Sequence, residues 1–448
     1  MKRYFFVSLF IFLIHSFYAY PNYPLNVKGK EAMSIGIHIY DLQNDSTIFE
    51  YDSNRALTPA SITKAVTSAS ALSLLESNFA FETKVSITGE IKNGILYGDV
   101  IVDATGDATL ESSHFPSNQH FVDSIIYNIK KLGINCIEGK CSITPNDFIL
   151  DCGVNPSWEI EDIAWGYGAG YYPFNYKNNT FGLSISESKT NTSPTIKDLS
   201  IIKYNSLDNS SINLMRPFNS NDLYLQGNIG KTYSATCAMP YPEDVFIDEL
   251  YSNLSQSGIS ILGNTLEGIS KKRTIYTHYS PNRDDILKSL MVRSDNLFAE
   301  SMLRALAQGK SRELSLKTQL NLWKSRGLDT EFILINDGSG LARSNRITPI
   351  FMTNLLKWMA NSNYSQTYVN YFPIAGKDGT MKNFLKGSKL NGKIALKTGS
   401  MNGVQCYAGY KLDSNNKPSH TIVIMVNNFF CKRAELKSEI EKMLLDIF

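Results

Sequence analysis

Residues 59–72 read PASITKAVTSASAL and predict the start of a buried helix. Pro59 suits the first turn of a helix, where the N–H that proline lacks is not needed. Small and aliphatic residues then recur at helical spacing. Ser61 and Lys64 are three positions apart, so the helix places both side chains on one face. A hydroxyl that can pass its proton to a neighbouring amine becomes a nucleophile, and the pair therefore indicates an activated serine.

Two further short motifs follow Ser61-Ile62-Thr63-Lys64 along the chain. Ser294-Asp295-Asn296 lies at a predicted junction between helices, and Lys397-Thr398-Gly399 lies at the end of a predicted strand. Each motif alone has an ordinary explanation: a helix N-cap, a break between helices, or a strand that ends in a turn. All three in this order, each in the matching local structure, favour a catalytic explanation.

The composition is that of a globular protein of two or three domains. The chain has 448 residues, of which 43% are hydrophobic and 19% are charged, and it is longer than one compact core normally allows. Lys2 and Arg3 account for the whole formal net charge of +2. The rest of the chain is neutral, which gives no support for a nucleic-acid partner.

The first residues indicate export. Lys2-Arg3 precede an uncharged apolar run, residues 4–14, that is short for a membrane span. We expect residues 1–19 to be a signal peptide, cleaved near Ala19, and the mature protein to be periplasmic; an uncleaved membrane anchor is the alternative. The predicted last helix, 433–448, has an acidic polar face that suits packing against a sheet better than an anionic membrane. Membrane contact is therefore expected to be peripheral at most.

Six cysteines permit up to three disulfides in an exported chain. Cys136 and Cys141 are close enough in sequence for a local bridge, and Cys406 and Cys431 fall in neighbouring strand-like segments. No CxxC motif and no histidine lies near these cysteines, so a metal site is not expected. No cofactor is indicated.

Hydrophobic periodicity divides the chain into three parts. Two predicted strands, within 34–51, precede the Ser61 helix, and alternating apolar residues typical of strands begin at residue 84. Helical spacing returns after Pro281, and two strand-like runs and a helix close the chain. We therefore predict a catalytic domain formed by 20–83 and 266–448. The inserted β-rich region, 84–265, is predicted to hold two subdomains, 84–160 with 236–265 and 161–235.

The three motifs resemble the signature of penicillin-binding proteins and serine β-lactamases. Roughly 230 residues separate Ser61 from Ser294, and this long insertion resembles the D-alanyl-D-alanine carboxypeptidase/endopeptidase family typified by penicillin-binding protein 4 (peptidase family S13). Further similar stretches are 59–61, 98–107, 158–167, 337–341 and 375–380. The resemblance implies an α/β (α+β) fold. It would have a transpeptidase-like five-stranded antiparallel sheet, two strands N-terminal and three C-terminal, flanked by helices, with β-rich inserted domains.

The resemblance also implies roles for the motif residues. Ser61 would attack a carbonyl and form an acyl-enzyme, while Lys64, as a neutral amine, takes the proton. Lys397 would lower the pKa of Lys64 as a second cation. Ser294 would relay a proton to the leaving amine, and Asn296 would hold Lys64 and the substrate amide.

Other residues would bind the substrate. Thr398 is expected to bind the terminal carboxylate, and Gly399 to let the substrate approach the strand. The backbone N–H groups of Ser61 and Ser400 would form the oxyanion hole. By the same resemblance, a side-chain pocket for the charged end of diaminopimelate would consist of Asp162, Tyr167, Arg343 and Asn402, the last lying where some relatives have glutamine.

The expected activity is a serine DD-carboxypeptidase and DD-endopeptidase on peptidoglycan stem peptides, with covalent binding of β-lactam antibiotics and no metal. A β-lactamase is one alternative, although residues 297–396 offer no convincing equivalent of the class A glutamate. A catalytically silent wall-binding protein is another, and the intact Ser61, Lys64, Ser294 and Lys397 argue against it. The six histidines show no motif context for a triad hydrolase.

Overall fold

The structure is a computed structural model that describes residues 24–144, 151–186, 189–205, 212–218, 220–228, 232–265 and 272–448. The expected signal peptide, 1–19, lies outside the described residues. Within the described part, no helix is both long and apolar enough to span a bilayer.

The strands of the described residues, in chain order, are β1 (Ser34–Asp41), β2 (Ser46–Tyr51), β3 (Glu82–Thr88), β4 (Glu90–Lys92), β5 (Ile95–Tyr97), β6 (Val100–Asp103), β7 (Cys136–Ile137), β8 (Cys141–Thr144), β9 (Thr180–Ser186), β10 (Thr190–Ser193), β11 (Ser200–Asn205), β12 (Asn213–Met215), β13 (Asp222–Gly227), β14 (Thr232–Ala238), β15 (Ser260–Ile261), β16 (Lys272–Tyr279), β17 (Ile394–Met401), β18 (Val404–Leu412) and β19 (Pro418–Asn427).

The α-helices are α1 (Thr63–Leu74), α2 (Phe121–Lys131), α3 (Pro242–Gln256), α4 (Arg283–Arg293), α5 (Asn296–Ala305), α6 (Arg312–Ser325), α7 (Pro349–Ala360), α8 (Ser365–Val369) and α9 (Arg433–Ile447). Short 3₁₀ turns occur at Lys30–Ala32, Ala60–Ile62, Pro116–Asn118, Gly166–Gly168, Lys177–Asn179 and Gly379–Met381.

The central sheet has five antiparallel strands in the order β17-β18-β19-β1-β2. The predicted sheet of two N-terminal and three C-terminal strands is thus confirmed. Side chains alternate across it, because successive residues of a strand point to opposite faces. In β19, Ile424 lies in the core under α9, whereas Val423 lies in the core that contains α1, α5 and α7. Leu436 and Ile440 of α9 are fully buried on the first face, so the last helix covers the sheet.

The described residues between α1 and α4 form four smaller sheets around a separate hydrophobic core. Its β16 pairs antiparallel with β3, where the chain leaves the catalytic part. The division into domains stays a prediction, and this pairing favours a return to the catalytic domain nearer residue 280 than 266.

The cysteines do not form the bridges that the sequence suggested, since all six are free thiols. Cys136 and Cys141 belong to different sheets, β7 and β8. Cys406 lies in the core on the α1 face of the central sheet, whereas Cys431 packs in the core on the α9 face. The central sheet lies between the two side chains. The sequence placed the two cysteines in neighbouring strand-like segments but could not show which face of the sheet each one occupies.

Candidate active site

Ser61 lies in the 3₁₀ turn Ala60–Ile62 that leads directly into α1. Thr58, two residues before this turn, is fixed to the sheet by Asn427, which accepts from the Thr58 N–H at 2.8 Å and donates to the Thr58 carbonyl at 3.0 Å. The turn also lies directly against β17. A Cβ on Gly399 would be 2.5 Å from the Pro59 carbonyl oxygen. The sequence suggested that Gly399 lacks a side chain so that substrate can approach the strand. In the structure its missing side chain allows the strand to contact the turn that carries Ser61.

Lys64 is fully buried one turn further along the chain. Its Nζ lies 3.2 Å from Ser61 Oγ, 2.6 Å from Asn296 Oδ1 and 2.6 Å from the Ser339 carbonyl oxygen. Burial lowers the pKa of Lys64 to about 8, against the opposing effect of nearby carboxylates, of which Asp337 is the strongest. Such a lysine has an accessible neutral form near neutral pH, as a general base requires.

Ser294 and Asn296 are presented by a sharp reversal between two helices. Helix α4 ends at Arg293, and Ser294 adopts the left-handed conformation, φ 62° and ψ 37°, which is uncommon for a residue with a side chain. Asp295 caps α5 by accepting from the Phe298 N–H at 2.8 Å. Asn296 is then the first residue of α5, beside Lys64.

Lys397 is the second buried lysine of the site. Its Nζ donates to Ser294 Oγ at 2.8 Å and to the Thr398 carbonyl at 2.8 Å. Burial, and then the positive charge of Lys64, hold the pKa of Lys397 well below its usual range. The sequence predicted that Lys397 lowers the pKa of Lys64. In the structure burial is the main cause of the lowered pKa of both lysines, and the repulsion between them lowers the pKa of Lys397.

Eight of the predicted site residues line one open cavity of about 630 Å³. These are Ser61, Ser294, Asn296, Ser400, Asp162, Tyr167, Arg343 and Asn402. The other four are not part of its lining. Lys64, Lys397 and Gly399 are buried, and the Thr398 hydroxyl donates to Thr380 Oγ1 at 2.9 Å. Asn213 and Met215 of β12, which sequence reasoning missed, also line the cavity.

The predicted side-chain pocket is joined to the catalytic motifs by hydrogen bonds. Tyr167 OH donates to Asp162 Oδ1 at 2.8 Å, and the Tyr167 carbonyl accepts from Asn296 Nδ2 at 2.6 Å. Burial raises the pKa of Asp162, which Tyr167 and Arg343 oppose. On the other side of the pocket, Arg343 Nη1 donates to the Asn402 carbonyl at 3.3 Å. Asn296 thus contacts both Lys64 and Tyr167 of the pocket.

Two buried carboxylates act on Lys64: Asp337, whose stretch 337–341 was noted for its similarity but given no role of its own, and Glu300, which the sequence reasoning missed. Asp337 accepts from Trp158 Nε1 at 2.9 Å and from Asn345 Nδ2 at 2.8 Å. Glu300 accepts from the N–H groups of the loop that follows Asp337. Position 300 is one helical turn after Asn296, so a helix beginning at the second motif could have pointed to it.

In the described part of the chain, no three His, Cys, Asp or Glu side chains come together as a metal-binding group. At the cleft, one buried amine, Lys64, lies beside the Ser61 hydroxyl and the other, Lys397, beside the Ser294 hydroxyl. This arrangement on a transpeptidase-like sheet is typical of serine acyl-transfer enzymes.

The comparison with family models identifies the particular family. Residues 27–445 match the D-Ala-D-Ala carboxypeptidase 3 (S13) family, and the chain belongs to it. It is accordingly a serine-type D-Ala-D-Ala carboxypeptidase.

Individual relatives agree along most of the chain. A D-alanyl-D-alanine carboxypeptidase (DacB) of Haemophilus influenzae is 25% identical over 424 residues, covering 88% of this chain and 85% of the relative. A D-alanyl-D-alanine carboxypeptidase of Actinomadura sp. is 23% identical over 419 residues, covering 85% and 75%. The crystal structure of penicillin binding protein 4 from H. influenzae superposes with a TM-score of 0.80 at 23% identity, covering 94% of this chain and 97% of that one. The last similarity confirms the predicted fold.

Proposed function

We propose that this carboxypeptidase hydrolyses the terminal D-Ala-D-Ala bond of peptidoglycan stem peptides, and the D-Ala–diaminopimelate bond of their cross-links, through an acyl-enzyme on Ser61. The observation that carries the proposal is the 3.2 Å contact between Lys64 Nζ and Ser61 Oγ at the wall of the open cavity. The distance is within hydrogen-bond reach, which a general base needs.

In the acylation step, Ser61 Oγ attacks the carbonyl carbon of the penultimate D-alanine while its proton passes to Lys64. The oxyanion that forms is expected between the N–H groups of Ser61 and Ser400, and each such donor typically contributes about 10²–10³ in rate. Ser294 then delivers a proton to the leaving amine as the C–N bond breaks. Its contact with Lys397 lets it recover a proton. Water then attacks the ester carbonyl and passes a proton through Ser294 to Lys397, while Lys64 returns its proton to Ser61 Oγ as the ester C–O bond breaks.

The substrate's terminal carboxylate is expected beside Lys397 and Thr398. A negative charge there favours the ammonium form of Lys397, which by repulsion favours the neutral form of Lys64. Substrate binding would in this way prepare the base.

The side-chain pocket would take the charged end of diaminopimelate. Asp162, with the Tyr167 hydroxyl bonded to it, would bind the ammonium group, and Arg343 beside Asn402 would bind the carboxylate. The open cavity gives room for the second peptide of a cross-link, which supports the endopeptidase activity.

Covalent binding of β-lactams follows from the same chemistry, because the β-lactam carbonyl would acylate Ser61. A structure of the related H. influenzae protein carries a β-lactam, at 22% identity and a TM-score of 0.73. Export to the periplasm, through residues 1–19, completes the proposal, since the stem peptides are outside the cytoplasm.

The test is labelling of the purified protein with a fluorescent penicillin, alongside Ser61→Ala. Ser73→Ala on α1 is a matched control, since the Ser73 hydroxyl only bonds the Ala69 carbonyl and Arg326. We expect a lasting covalent label in the wild type and the control and none in Ser61→Ala. An unlabelled wild type would refute the acyl-enzyme, and rapid drug turnover without a lasting label would favour a β-lactamase. Release of D-alanine from a pentapeptide, and of monomers from a cross-linked dimer, separates the two peptidase activities.

A further inference from the structure

A buried carboxylate lies behind the catalytic lysine, away from the cavity. Glu300 is on α5, one turn after Asn296, and only 4% of its surface is exposed. The reaction proposed above does not use it, and it is not among the residues that line the cavity. Burying a carboxylate is costly unless its hydrogen bonds and charges are compensated.

Glu300 is connected to Lys64 through one loop. Its Oε1 accepts from the N–H groups of Gly338 and Ser339, both at 2.9 Å. The carbonyl of the same Ser339 accepts from Lys64 Nζ at 2.6 Å. Helix α5 thus holds the lysine twice, directly through Asn296 Oδ1 and indirectly through Glu300 and the 338–339 loop.

The charged and titratable groups around Glu300 come from several elements. Lys64 faces Glu300 from α1, and Asp337 faces it from the residue before the 338–339 loop. Arg304 lies on the same helix as Glu300, and Tyr171 lies in the inserted region. Arg304 is paired with Asp151 at 2.6 Å, so it is not dedicated to Glu300. Burial, reinforced by Asp337, raises the pKa of Glu300 to about 7.

We propose that Glu300 is a positioning residue for Lys64: its carboxylate fixes the 338–339 loop whose carbonyl receives the lysine, and its negative charge favours the ammonium form of that lysine. The proposal rests on the role of Lys64 as the base. It gives the site two coupled ionisations, so the titration that controls acylation belongs to the Glu300–Lys64 pair.

Glu300→Gln separates charge from shape. The amide oxygen can still accept from both loop N–H groups, but the negative charge that raises the pKa of Lys64 is gone. We expect the pH midpoint of acylation to fall by about one pH unit. Glu300 carries its negative charge only above about pH 7. Between about pH 7 and the wild-type midpoint the second-order acylation rate should therefore rise severalfold, whereas well below pH 7, where Glu300 is protonated, the variant and the wild type should acylate at similar rates.

Glu111→Gln is the matched control. Glu111 is a partly buried carboxylate whose Oε1, like that of Glu300, accepts from two backbone N–H groups, those of Phe121 and Val122, and burial raises its pKa. It does not act on Lys64, so its amide should leave the pH profile unchanged.

The experiment measures penicillin acylation against pH for wild type, Glu300→Gln and Glu111→Gln. It is paired with an NMR titration of isotope-labelled lysine, in which Lys64→Met assigns the signal. The proposal is supported if Glu300→Gln, and not Glu111→Gln, lowers both the pH midpoint of acylation and the pKa of Lys64 measured by NMR. An unchanged Lys64 titration overturns it. A wild type that does not acylate would refute the proposed function instead, while the NMR titration still tests Glu300. Should Glu300→Gln not fold, the wild-type Lys64 signal must show a second inflection near the Glu300 midpoint, and a single inflection overturns the coupling.

Discussion

Gly399→Ala tests whether close contact between β17 and the turn that carries Ser61 sets the geometry of the nucleophile. The new Cβ would lie 2.5 Å from the Pro59 carbonyl oxygen and 3.1 Å from the Ser61 and Ile62 nitrogens. Atoms at 2.5 Å overlap, so the turn or the strand must move by several tenths of an ångström. Neither is a flexible side chain that could turn away.

The size of the effect follows from that displacement. Forcing one methyl group into a packed interior costs about 1–3 kcal/mol of folding free energy. The shift acts between Ser61 and the N–H of Ser400, the two parts of the expected oxyanion hole. A misplacement of about 1 Å can cost about 10²-fold in rate, so we expect acylation to fall by about one to two orders of magnitude while the protein remains folded.

The assay is the second-order rate of penicillin acylation, with thermal unfolding measured on the same samples. Gly182→Ala is the control, because it is also in a strand, β9, and its Cβ would meet nothing closer than the Ser193 carbonyl oxygen at 3.7 Å. Wild-type acylation by a folded Gly399→Ala would refute the reasoning, since the contact would then have no bearing on the nucleophile.

Two further predictions concern charge in the cavity. Acylation at low drug concentration should rise with pH to a midpoint near 8, because the neutral form of Lys64 is needed and burial lowers the pKa of Lys64 to about 8. At saturating drug the midpoint should be lower, because the bound carboxylate favours a charged Lys397, which repels the proton on Lys64. Stopped-flow labelling that finds the reverse order of midpoints would contradict this account. Asp162→Asn should raise KM for a diaminopimelate-containing peptide about tenfold or more, because a charged hydrogen bond is lost, and should leave the rate of penicillin acylation close to wild type. Kinetics that show the same loss of rate with the peptide and with penicillin would contradict a role confined to the side-chain pocket.

The sequence predicted those parts of the molecule whose signals are local. Each of the three motifs is contiguous, and the strands that form the central sheet alternate or run apolar over several residues. Lys64, Ser294 and Lys397 could therefore be proposed together before their side chains were known to meet. The side-chain pocket was proposed only through the family resemblance, and the structure brings its four residues to the same cavity as Ser61.

Other features depend on contacts between distant segments and had little or no local signal. Cys406 and Cys431 looked like neighbours, but they lie in cores on opposite faces of the sheet. Asn213 reaches the cavity from the inserted region through long-range packing. Glu300 had a weak signal, its spacing from Asn296, but without the 338–339 loop nothing connected it to Lys64.

The two buried lysines explain why an anionic substrate terminus would matter for the chemistry itself. In the free protein, burial penalises a charge on either amine. The carboxylates of Asp337, Asp295 and Glu300 favour the protonated form of Lys64. Protonation of Lys397 is instead disfavoured both by burial and by the charge of Lys64. In the free protein the proton is therefore held on Lys64, the residue that we propose as the general base and that must be neutral to accept a proton. A carboxylate arriving beside Lys397 reverses the preference, because it compensates the charge on that lysine and the repulsion then acts on Lys64. A ligand without the carboxylate should bind without creating a strong base, so specificity for a free carboxyl terminus would be imposed on the acylation rate as well as on affinity.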